Sequence, residues 1–167
     1  MTIYLSLAIA GAAWFSLCLG ILLSKFGIPP SLSESYYNLG GKDGKGYLFY
    51  IMLLVTVFLM ITPMCQAAGG WGFLCGLGLL FVGAAPAFKG DSGIDKILHP
   101  VGAIACAASA ALILIHIGEW GWLVASAFFA WGIAYATMTM RQCYIFWLEM
   151  AAFYGLFAGV IVHFLKV

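Results

Sequence analysis

A glutamate inside a long apolar run is the residue of this chain with the clearest chemical potential. Glu149 lies in CYIFWLEMAAFYGLFAGVIVHFL, Cys143 to Leu165, seven residues beyond Gln142. At about 1.5 Å per helical residue it would sit about 10 Å inside a membrane. A charge at the centre of a spanning helix costs roughly 2.5–3.5 kcal/mol, somewhat less at that depth. Such a group needs a partner, a water or a proton, and intramembrane carboxyls are commonly kept for use. The roles open to it are proton carrier, ligand anchor or metal ligand, with a hydrogen-bonded structural glutamate as the alternative. Ala152 and His163 share its helical face, so the side chain is expected to point at least partly inward.

Two charged clusters interrupt the apolar sequence. PAFKGDSGIDKILHPVGA, Pro86 to Ala103, holds Asp91, Asp95 and His99. Asp95 is four residues before His99 and could pair with it if a helix begins early, while Pro100 suits a first helical turn. A His99–Glu149 pair is the functional reading, and an interfacial histidine after a solvated loop is the plain one. The second cluster is IPPSLSESYYNLGGKDGKG, Ile28 to Gly46. Ser31 followed three residues later by Glu34 has the form of a capping box. The stretch 29–40 is therefore expected to be a short amphipathic helix on the membrane surface, from which Ser33 or Glu34 could lean over the bundle as a lid.

Other motifs are absent. There is no GxSxG, Walker loop, dinucleotide fingerprint or HExxH. His99 and His116 would be about 25 Å apart along one helix and cannot share a site. His116, Glu119 and His163 could hold a metal only if the fold happened to bring them together, so no metal site and no cofactor is expected. Cys18, Cys65, Cys75, Cys106 and Cys143 form no CxxC and fall in or beside apolar runs, where free cysteine packs as a small hydrophobe.

Positioning these residues requires membrane helices. Of 167 residues, 65% are hydrophobic and 8% charged, against about 45–50% and about 25% in ordinary soluble domains. A net charge of +1 leaves no basic field for nucleic acid. A spanning helix needs about 20 apolar residues, and six segments qualify: 3–24, 47–67, 70–88, 98–117, 120–140 and 143–165. The first resembles a signal peptide in position, but it lacks a positive start and its apolar run of about 22 residues exceeds the usual 7–15. It is read as a retained span.

Six spans place both termini at one membrane face, the terminal face. The opposite loop face then receives Lys25, Lys42, Lys45, Lys89, Lys96 and Arg141, against Lys166 at the terminal face. The positive-inside rule makes the loop face cytoplasmic. All the candidate residues Ser33, Glu34, Asp91, Asp95, His99 and Glu149 lie at or nearest that face. The fourth span is rich in small residues, Gly102 to Ala111, and the sixth carries Ala151, Gly155 and Gly159 at intervals of four. Small residues allow close helix approach, so both spans are expected inside the bundle.

PPSLSESYYN after the first span, with VGAAPAF and HPVGA around the third and fourth, resembles small six-helix bacterial membrane proteins without an assigned activity. More distantly it is similar to the damage-regulated autophagy modulator family, through Leu32-Ser33-Glu34 and His99 with Gly102-Ala103. The first resemblance implies a bacterial inner membrane; the second implies a six-span architecture with termini on the cytoplasmic side, the reverse of the charge count. Ser33, Asp91 or Asp95, and His99 also resemble the zinc-site residues of alkaline-ceramidase-like hydrolases, but the HxxxH of their last helix is missing.

The expected fold is all-α, a polytopic six-helix membrane bundle over residues 1–167. The leading expectation is a non-enzymatic protein that binds or transports a lipid or small solute through a polar pocket at the loop face. Glu149, His99, Asp91, Asp95, Ser33 and Glu34 are its candidate residues. A zinc-dependent intramembrane hydrolase and a small oligomeric channel are the alternatives. Membrane lipids are the expected partners, with a homo-oligomer allowed.

Overall fold

A computed structural model describes residues 2–84 and 94–167. The described residues are helical, without strands. The order is α1 (Thr2–Phe26), α2 (Ser35–Asn38), α3 (Tyr47–Ala68), α4 (Gly70–Ala84), α5 (Ile94–His116), α6 (Gly121–Ala136) and α7 (Tyr144–Lys166). α1, α3 and α7, of 25, 22 and 23 residues, are long and apolar enough to cross a membrane. Their length and apolar composition mark the chain as a membrane protein.

Each long helix packs antiparallel to its chain neighbour. Trp14 Nε1 donates to the Met52 carbonyl at 3.1 Å, tying α1 to α3. Gly78 of α4 meets α5 so closely that a Cβ there would lie 2.7 Å from the Cys106 amide nitrogen. α7 is the hub, sharing interfaces with α1, α3, α5 and α6. Phe15 stacks on Phe153 with centroids 4.5 Å apart and meets Phe157 edge-on at 5.5 Å. Such pairs add about 0.5–1.5 kcal/mol beyond area burial. Tyr4 lies against Phe164, centroids 5.7 Å apart, so both chain ends sit at the same end of the bundle.

Three sequence expectations change in detail. The helix expected to end near Met140 stops at Ala136. Met138 takes a left-handed φ of 55°, its N–H reaching the Tyr135 carbonyl and that of Thr139 the Ala134 carbonyl, each at 3.1 Å. This is a Schellman closure, usually made by glycine. α5 starts at Ile94 rather than Leu98, so Pro100 lies inside the helix, not in its first turn. There it has no N–H to donate to the carbonyl four residues back. The fourth span was expected inside the bundle, yet α5 lies at its edge. It packs chiefly on α4, leaving Ile104 and Ile115 exposed. Its small residues serve the α4 contact and, on another face, line a groove. At 15 and 16 residues, the described α4 and α6 reach about 22–24 Å, short of a core of about 30 Å.

Candidate functional site

The site begins where α1 ends. Gly27 has φ +75°, and its N–H bonds to the Leu23 carbonyl at 2.9 Å, a left-handed stop that glycine makes without steric cost. Pro29 and Pro30 cannot continue a helix, and neither leaves an amide to be satisfied. The chain runs back across the start of α7 and touches it at every second residue. The Cys143 thiol donates to the Ile28 carbonyl at 3.5 Å. The Phe146 N–H donates to the Pro30 carbonyl at 3.1 Å. The Leu32 N–H donates to Glu149 Oε2 at 2.6 Å.

The spacing explains the match. Alternate residues of an extended segment point the same way, while every third residue of a helix shares a face. Phe146 is also in the first turn of α7, whose amides have no partner within the helix. Leu32 opens a 3-10 turn, Leu32–Glu34, with the same deficit. The Glu149 carboxyl therefore caps that turn from another helix. The expected capping box is not formed, because Ser31 makes no side-chain cap bond and its Oγ lies 3.0 Å from Ser33 Oγ.

Beside this contact a groove of about 360 Å³ separates α4 and α5 from α7. Ala103, Ala107 and Ala110 form its floor on α5, and Glu149, Ala152 and Leu156 line it on α7. Leu32 closes the end near Glu149 and is only 1% exposed. Glu149 is the one acidic or basic side chain among the described lining residues. From Ile145 to Leu156 the groove follows α7 for about 16 Å. Chemically, it can take an apolar chain along its length and offer a hydrogen-bond acceptor about 6 Å in from its Ile145 end.

The six predicted site residues divide accordingly. Glu149 lines the groove. Ser33 and Glu34 are half-buried in the segment that supplies Leu32, and neither is among the residues that line the groove. The segment is not a free surface helix: Leu32, Ser35 and Tyr36 are buried in the bundle. Asp95 and His99 belong to the first turns of α5, and His99 lies one turn before Ala103. Their side chains, and Asp91 altogether, lie outside the described residues, so the pairing of His99 with Glu149 or Asp95 does too. At the terminal face, Glu119 is 8% exposed and pairs with Lys166 Nζ at 2.5 Å. Among the described residues no three His, Cys, Asp or Glu side chains gather as a metal site.

No protein-family model, curated protein or solved structure matches this chain. The site must therefore be read from its own chemistry. Sequence reasoning missed Leu32, the alanine floor and the Lys166 partner of Glu119. The only advance signal for the floor was the run of small residues, which was assigned to helix packing.

Proposed function

We propose that this chain is a six-helix integral membrane protein that binds, and moves or presents, a lipid through the groove beside Glu149. The observation that carries this reading is an apolar groove with one carboxyl in its loop-face half among the described lining residues. Leu148 and Ile145 at its rim are 65% and 43% exposed. In a bilayer that rim faces acyl chains, so the natural occupant lies parallel to the helices. A small polar solute would find few partners on alanine and leucine, which favours a lipid chain over such a solute. The apolar character of α4 and α6 and their antiparallel packing support counting them, with α5, as spans; a locally thinned bilayer accommodates short helices at modest cost. The lysine and arginine bias supports a cytoplasmic loop face, and the resemblance to small bacterial six-helix membrane proteins supports a bacterial inner membrane.

Native mass spectrometry of gently extracted protein tests this reading. One retained lipid mass per chain is expected. A bare chain would contradict it. One zinc per chain, lost in His99→Ala, would support the hydrolase in its place.

A further inference from the structure

We infer that the lipid held in this groove carries a protonated primary amine in its head, an inference that rests on the groove being a chain site. Glu149 is the only acidic side chain among the described lining residues, and no basic one is among them. A head bearing a carboxylate or phosphate would offer Glu149 no cation and, against the ionised carboxyl, would add like charge in a low-dielectric wall, where such repulsion is poorly screened. A neutral hydroxyl head would bind less strongly, because it brings a hydrogen bond to the carboxyl without the Coulomb attraction of a cation.

The geometry also fixes how the amine would approach. A carboxylate offers about four lone-pair sites, and the Leu32 amide uses one of them at 2.6 Å. That bond holds the carboxyl in one orientation, so little ordering remains when a ligand arrives. Glu149 sits five residues beyond Tyr144, the start of α7, which places it about 7–8 Å below that end. Leu156, at the far end of the groove, lies about 10 Å further along. An amphiphile with its amine at Glu149 and its chain toward Leu156 has the orientation of a lipid in the loop-face leaflet. The ligand is thus a chain-bearing amine drawn laterally from that leaflet.

The test uses full-length protein in phosphatidylcholine nanodiscs, with dodecylamine, dodecanol and dodecanoic acid at equal membrane mole fraction. Occupancy is read by native mass spectrometry for wild type, Glu149→Gln and Ala107→Phe. Glu149→Gln keeps an oxygen for the Leu32 amide, so the loop contact survives. Wild type is expected to bind dodecylamine about tenfold more tightly than dodecanoic acid. Glu149→Gln should reduce dodecylamine to about the level of dodecanol and reduce dodecanol by a smaller factor. Ala107→Phe should lose all three. Equal or tighter binding of dodecanoic acid, or an amine preference that survives Glu149→Gln, overturns the amine head while leaving the chain site standing. Failure of all three probes to bind wild type overturns the chain site itself.

Discussion

Helix α7 lines several grooves, and two of them differ in whether a charged side chain is present among the described lining residues. The groove toward α4 and α5 ends at Glu149 and Leu32. The groove toward α1 and α6 is larger, about 500 Å³, and is lined by residues such as Leu19, Ile133 and Met150, with no acidic or basic side chain among the described ones. Both are apolar spaces between imperfectly meshed helices. A space of this kind follows whenever short side chains face a gap, and by itself it selects nothing. In the proposed reading, the carboxyl toward one end gives the first groove a direction. Oriented polar groups in an otherwise apolar pocket are what fix a ligand.

The two interior glutamates draw the same contrast. Glu119 faces a cation, Lys166, which ties the end of α7 to the α5–α6 turn. Its burial is answered by its partner, and its role is structural. Glu149 instead holds a backbone amide beside an open groove. A neutral donor leaves room for a second, charged one.

The largest expected effect separates the two grooves. Ala107 is exposed to its groove, so Ala107→Phe should fill it without disturbing the core and reduce retained lipid by an order of magnitude or more, about 1.4 kcal/mol or above. Ile133→Trp, in the other groove, should leave retention unchanged. Equal losses from both would break the contrast, and lipid analysis of the purified variants would show it. Next is the loop contact. Glu149→Ala should lower stability by about 1–3 kcal/mol, because it strands the buried Leu32 amide. Glu149→Gln should recover most of that, and thermal unfolding in detergent would rank the three proteins. The smallest effect belongs to the terminal face. Lys166 is 63% exposed, so solvent screens the pair and Lys166→Ala should cost about 0.5–1 kcal/mol with no change in lipid retention. A loss of lipid in that variant would merge the two glutamates into one system.

Much of the fold is legible in the sequence because apolar length is a strong signal. α1, α3 and α7 fall within two residues of the expected segments, since each apolar run ends at charge, glycine or a polar turn. The end of α6 was hidden because Met138 adopts a conformation that its side chain does not favour. Glu149 stood out as an acid in an apolar run. Its partner did not, since the Leu32 amide is backbone and comes from 117 positions away. Small residues on α5 were ambiguous for a physical reason: alanine permits either close packing or an open gap, and the facing helix decides which. Gly78 made one face of α5 a tight contact, and the bulk of α7 left another as a groove.

The most direct test of the proposal that a lipid occupies the groove is photolabelling in a bilayer. A phospholipid carrying a mid-chain diazirine would be incorporated with the protein, activated, and the modified residues mapped by mass spectrometry. The groove account predicts labels concentrated on Ala103–Ala110 of α5 and Leu148–Leu156 of α7. Labels spread evenly over exposed residues such as Phe58, Phe128 and Trp131, with no excess in the groove, would contradict it.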